Sequence, residues 1–265
     1  MMGPAHSLSG ATAWMAVGAV AAGLGDPMPW PTLVVGALIC AGAALAPDLD
    51  HPAATISRAF GPLSRFACKV IDDLSHAAYR TTRKKGDPAG RSGGHRTLTH
   101  TWAWAALIGV GSSALAVYGG RWAVLAILFV HMVLAVEGLL WRQARVSSDV
   151  LVWLLGATSA WLLAGVLDDP GNGKAWLFHD AGMHYAWIGM PIVLGALMHC
   201  LGDAITVSGC PILWPIPVGR KRWYPVGPPK FMRFRAGSWV EVKVLTPVFF
   251  VVGGASALGA LGLFS

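Results

Sequence analysis

Charge is what this chain has little of. Only 12% of its 265 residues are Asp, Glu, Lys or Arg, about half the share in an ordinary soluble domain. That shortage argues against a water-soluble globular protein. Acid is scarcer than base, 13 residues against 20, which leaves a net charge of +7. The opening stretch MMGPAHSLSG has no Lys or Arg. It lacks the basic leader of a secretory signal, so the first apolar segment reads as retained. Of the four cysteines, Cys40, Cys68, Cys200 and Cys210, no two form a CxxC pair. Cys40 and Cys200 fall inside apolar runs, where a thiol reads as a small buried hydrophobe. No internal repeat and no low-complexity tail is present.

What is abundant is apolar. Hydrophobic residues make up 55% of the chain, with 33 glycines and 13 tryptophans. Glycine lets helices approach closely in a bilayer, and tryptophan anchors at its edges. Apolar segments run near 8–25, 31–46, 101–119, 122–140, 150–167, 184–204 and 244–264. The expected fold is all-α, a polytopic membrane helix bundle of about seven apolar segments. It reads as a single membrane-embedded domain over 1–265, and the first two segments are short for a full crossing.

The basic residues are distributed unevenly. The connection at 47–99 holds nine Lys and Arg, that at 141–149 holds Arg142 and Arg145, and that at 205–243 holds seven. The other connections hold only Arg121 and Lys174. Seven segments place the three basic connections on one side. The positive-inside rule makes that side cytoplasmic, with the N-terminus inside.

The His and Asp residues at segment ends then share that side. His6 precedes the first segment. Asp48 and Asp50, with His51 beside them, end the second in APDLDHP. His95 and His100 open the third in GHRTLTH, and His199 and Asp203 close the sixth in HCLGDAIT. His199 and Asp203 are i and i+4, so they share one helix face. Imidazole and carboxylate together suit zinc foremost, with manganese or iron also compatible. Seven donors exceed the three that hold one catalytic zinc, which fits two ions or one ion with supporting carboxylates.

The elements PAHSLSG, APDLDHP, HRTLTHT and HCLGDAIT resemble, in the same order, the YdjM-like family of membrane-bound, predicted metal-dependent hydrolases. The resemblance runs from His6 to about Glu241, and HRxxTH is its most specific part. It implies an inner-membrane location and hydrolysis, with His6, Asp48, Asp50, His95, His100, His199 and Asp203 on the family's His and Asp positions. Arg96 and Thr99 fall within HRxxTH. The basic stretch 52–93 reads as an insertion on the cytoplasmic side.

Secondary features complete the reading. Residues 56–80 have helical apolar period with a basic opposite face, broken at Gly61–Pro62, which reads as a helix along the membrane surface. The basic run 80–96 has no interleaved aromatics, so no nucleic-acid partner is expected. The Pro-rich segment 211–239 reads as a small extended cap. Glu241, Glu137 and His131 are further ionisable groups to place.

The expected activity is metal-dependent hydrolysis of a phosphate or acyl ester in an amphiphilic, lipid-like substrate. Asp50 or Asp203 would act as proton acceptor and Arg96 would stabilise charge. Membrane lipid is the expected partner. The alternatives are a metal or ion transporter, which needs polar groups continuing across the bilayer through His131, His179 or His184, and a non-catalytic membrane protein with a structural metal.

Overall fold

The computed structural model describes residues 1–54, 56–88, 95–140, 149–168 and 185–263. Among them every regular element is helical, and backbone pairing of the β type is limited to three isolated bridges. The main helices are α1 (Gly3–Gly23), α2 (Trp30–Ala43), the single turn α3 (Ile56–Ala59), α4 (Pro62–Thr82), α5 (Trp102–Leu139), α6 (Asp149–Asp168), α7 (Gly189–Ala204) and α8 (Thr246–Ala260). A proline sits in the first turn of α1, α2, α4 and α8. There its missing N–H has no intrahelical partner to forgo. α5 starts where the Thr101 side chain accepts a hydrogen bond from Trp104 N at 3.1 Å, a helix cap.

α5 has 38 residues, which at 1.5 Å each gives roughly 57 Å, nearly twice a bilayer core of about 30 Å. Gly120 resolves this. Its backbone (φ 56°, ψ −147°) is non-helical and lies where a side chain is disfavoured, so it divides α5 into two arms. The first arm leaves the end of the bundle where α2 stops. The second returns to that end, where Gly138 packs on Ser7 and Leu45. Residues Trp30–Asp50, Trp102–Leu139, Asp149–Asp168, Ala186–Ala204 and Glu241–Ala260 are each long and apolar enough to cross a membrane. Five such stretches thus stand where the sequence suggested seven segments. The segments 101–119 and 122–140 are the two arms of one stretch, and α1, which carries 8–25, is not among the five.

α2 occupies the centre, in contact with α1, α5 and α7, while α6 lies outside on α5 and α8 outside on α1. Two glycines make the central packing close. A Cβ on Gly10 of α1 would lie 2.5 Å from the Cys40 carbonyl oxygen, and one on Gly195 of α7 would lie 2.4 Å from the same atom. α6 buries only Val152, Gly156, Ala160 and Ala164, every fourth residue, and exposes Leu154, Trp161 and Leu162. A seam of small residues with large apolar ones facing outward is the pattern of a lipid-facing helix.

α4 is turned the other way from a soluble surface helix. It buries Ser64, Cys68, Ser75 and Tyr79 and exposes Leu63, Phe66, Val70 and Leu74. Residues 205–240 form bridged turns over the same end of the bundle, with pairs Cys210–Val226, Val218–Lys221 and Thr206–Phe234. Asp87 pins this cap to the end of α4 by accepting from Lys84 N, Arg222 N and Trp223 N. At the opposite end Arg121 and Tyr185 both bond to Asp168.

Candidate metal centre

Four pieces of chain deliver the donors to one end of the bundle. α1 supplies His6. The 3₁₀ turn Ala46–Asp50 supplies Asp48 and Asp50. The loop ahead of α5 supplies His95 and, on the 3₁₀ turn Leu98–His100, His100. The last turns of α7 supply His199 and Asp203. The donors form two groups, Asp48, Asp50, His95 and His100 in one and His6, His199 and Asp203 in the other. Within each group the ligand atoms lie within 4.8 Å of one another.

The two groups are contiguous. Asp48 Oδ1 lies 3.3 Å from His199 Nε2 and 3.6 Å from His100 Nε2. His100 Nε2 lies 3.6 Å from Asp203 Oδ2 and 3.2 Å from His199 Nε2. His95 Nδ1 sits 3.1 Å from Asp50 Oδ1 and 3.8 Å from Asp48 Oδ1. His6 stacks on His199 with ring centroids 3.8 Å apart and places Nε2 3.4 Å from Asp203 Oδ1. All seven predicted donors therefore come together.

The surroundings fix their orientation. His199 Nδ1 donates to Ala44 O at 2.7 Å, which turns Nε2 toward the cluster. Thr99 Oγ1 donates to Asp50 Oδ2 at 2.8 Å and lies 2.9 Å from His100 Nδ1, bridging a carboxylate and an imidazole. Outer contacts of this kind hold ligating groups in register. Cys210 Sγ donates to the His100 carbonyl. Thr99 stands inside the motif that the sequence highlighted, but its role as a bridge is visible only once Asp50 is beside it. Thr206 ends the element HCLGDAIT, where nothing marks it for a role, and Cys210 carries no signal beyond its residue type.

Arg96 adopts a positive φ of 64°, strained for a residue with a side chain, and this turns its guanidinium inward. Its Nε lies 2.8 Å from Asp203 Oδ2, in contact but outside hydrogen-bond alignment, and Nη1 donates to Thr206 Oγ1 at 2.9 Å. The Met1 amine lies 2.6 Å from Asp203 Oδ1. Asp203 is thus surrounded by positive groups.

Burial disfavours a charged His100, but Asp203 and Asp48 beside it outweigh this and hold its pKa well above the usual imidazole value. A cation binding through His100 must therefore displace a proton.

The donor chemistry fits a divalent cation. Buried carboxylates and imidazoles at these spacings repel or compete for protons unless a cation sits among them. Among the described residues neither ring nitrogen of the fully buried His6 has an aligned hydrogen-bond partner, although Nε2 lies 3.4 Å from Asp203 Oδ1. A buried imidazole without partners is costly, and a metal bond is one way to satisfy it.

Residues 1–253 match a single family along nearly the whole chain. The chain belongs to the YdjM inner membrane protein family. Searches of curated proteins and of solved structures each returned no match. Membership in the YdjM family agrees with the five stretches long and apolar enough to cross a membrane.

The remaining ionisable groups have other places. Glu241 accepts from Met2 N at 2.5 Å and Gly237 N at 2.8 Å, so it ties the start of α1 to the approach to α8. His131 donates to Ile127 O one turn earlier in α5, a bond within its own helix. Glu137 and Asp48 line one pocket. His179 and His184 lie outside the described residues, as do Arg142 and Arg145.

Proposed function

We propose that this YdjM-family chain is a membrane-bound, metal-dependent hydrolase. Its substrate class is a phosphate or acyl ester of an amphiphilic, lipid-like molecule. One observation carries the reading. The cluster is buried on the inside but open at one edge, where the Asp48 and His95 side chains are 22% and 33% exposed and Asp48 lines a pocket. A purely structural site is closed on all sides, whereas a catalytic one keeps an approach for water and substrate. The reading also draws support from the position of both donor groups at one end, which suits surface chemistry better than a path across the bilayer.

His6, Asp48, Asp50, His95, His100, His199 and Asp203 would hold one or two ions, zinc foremost. Such a cation supplies Lewis acidity, which polarises an ester and acidifies water at neutral pH. A carboxylate of Asp50 or Asp203 left out of that coordination would accept the proton of the attacking water. Arg96 fixes the Asp203 carboxylate and brings a permanent positive charge to the edge where anionic charge develops. Thr99 keeps Asp50 and His100 oriented through that transfer.

Detergent-purified protein is expected to contain one or two equivalents of zinc, manganese or iron by inductively coupled plasma mass spectrometry. It should release phosphate or carboxylate from a lipid ester panel. His95→Ala should abolish release, and the pair His199→Ala with Asp203→Ala should lose the metal. Wild-type protein that stays metal-free after reconstitution with each ion would sink the proposal.

We further propose that the basic connections face the cytoplasm, with seven crossings once both α5 arms and α1 are counted. α4 then lies on that surface with Leu63, Phe66, Val70 and Leu74 in lipid and Arg65 and Lys69 at the headgroups. An impermeant thiol reagent should label Lys84→Cys in inverted vesicles and spare it in right-side-out spheroplasts. The opposite result would reverse the orientation.

A further inference from the structure

Beside the cluster, at its open edge, lies a pocket of about 190 Å³ whose own lining has not yet been assigned a ligand. It forms where the start of α1, the turn after α2, the residues around α3 and the end of α5 meet. Three features define what it can take.

First, Asp48 is part of its wall, and Asp48 Oδ1 is also the atom 3.3 Å from His199 Nε2. The pocket and the donor cluster therefore share one carboxylate.

Second, the wall carries one cation and one further anion, Arg58 and Glu137. Arg58 is steadied by donating from Nη2 to Ala53 O at 2.8 Å. Glu137 lies within electrostatic reach of Arg58 and Asp149, yet no hydrogen bond or ion pair joins it to any described residue. A carboxylate at the end of an apolar helix is costly and is usually matched by a partner. The rest of the wall is apolar, with Leu45, Ile56 and Met2.

Third, the volume is below the roughly 300–1,000 Å³ of pockets that enclose drug-sized ligands. A peptide or nucleotide is too large, and a small headgroup fits.

We propose that this pocket binds a small zwitterionic headgroup, with its ammonium on Glu137 and its phosphoryl group between Arg58 and the metal centre. The proposal rests on the reading of that centre as the hydrolytic site, and it narrows the substrate class to amine-bearing phosphoesters. The same chemistry occurs in a soluble phosphoamine and in an aminophospholipid headgroup.

The test is calorimetric titration of metal-loaded, full-length protein with O-phosphoethanolamine, inorganic phosphate and ethanolamine. Wild-type protein should bind O-phosphoethanolamine about tenfold or more tighter than phosphate, the worth of one charge-assisted hydrogen bond. Glu137→Gln should erase that preference and leave phosphate binding intact, while Glu137→Asp should keep part of it. Arg58→Gln should weaken both phosphate-bearing ligands. Metal content of each variant reports that the fold is retained. Nanodiscs of phosphatidylethanolamine should weaken the titration relative to phosphatidylglycerol if the lipid headgroup is the occupant, and equal affinities assign the pocket to the soluble compound.

Equal affinity of wild-type protein for phosphate and O-phosphoethanolamine, or an unchanged preference in Glu137→Gln, overturns the proposal. Retained binding without hydrolysis of any ester overturns the hydrolase reading alone. Hydrolysis without ammonium preference overturns the pocket alone.

Discussion

Asp203→Asn should be the most damaging single substitution in the chain. The change keeps the shape of the side chain and removes only its charge. Arg96 Nε at 2.8 Å and the Met1 amine at 2.6 Å then face a neutral amide in a nearly dry environment. Breaking a buried ion pair by removing one partner costs about 3–5 kcal/mol, mostly because the surviving charge stays buried. Asp203 is also the carboxylate of the His6–His199 group, so metal should be lost with stability. Thermal unfolding in detergent and metal content measured on the same sample check both expectations. A variant that keeps its unfolding temperature and its metal would show that these positive groups are compensated elsewhere. Arg96→Gln in the same background should recover part of the stability but none of the metal, because it removes one stranded cation and restores no ligand.

Gly195→Ala should disable the site without touching a ligand. The added Cβ would meet the Cys40 carbonyl oxygen at 2.4 Å and Ala43 Cβ at 2.8 Å. The first neighbour is backbone in the last turn of α2, which has no rotamer to change, so α7 itself must move. Overpacking of this kind costs about 1–3 kcal/mol. The functional consequence is larger than the stability loss. His199 follows Gly195 by one helical turn on the same face, so it moves with the contact, away from Asp48 and His100. Metal affinity, read by competition with a chromophoric chelator, should fall about tenfold or more, comparable with loss of an outer-shell contact. Gly165→Ala is the control. Nothing lies within 4 Å of a Cβ there, so stability and affinity should be unchanged.

The donors were legible because their chemistry is scarce. In a chain with so few ionisable groups, a His or Asp at the end of an apolar run stands out, and the i, i+4 spacing of His199 and Asp203 already places them together. The membrane setting was legible from the same scarcity. The residues that orient the donors were not. Thr99, Thr206 and Cys210 are ordinary residues whose partners are distant in sequence, and only the folded chain brings Thr99 to Asp50. Glu241 resembles a site residue by type, yet its carboxylate is taken up by two backbone N–H groups. α4 shows a different limit. Periodicity defines an apolar and a polar face but does not say which one meets the protein, and here the serines and Tyr79 face inward. The fold-back of α5 was legible, because Gly120–Arg121 separate the apolar segments 101–119 and 122–140, and the backbone breaks at Gly120.

The central position of α2 has a further consequence, for how this chain tolerates change. Nearly every α2 residue touches protein, from Pro31 to Ala43, whereas α8 buries only Ala260. The outer helices are constrained chiefly by the solvent they face, so one large hydrophobe can replace another there at little cost. α2 is constrained by its neighbours, atom by atom, at Gly36 against Trp14 and at Gly42 against the His131 backbone. Sequence drift within the family should therefore collect on the periphery, and the helix that ends in the two carboxylates should change slowest, held by its fit among α1, α5 and α7 as much as by its chemistry.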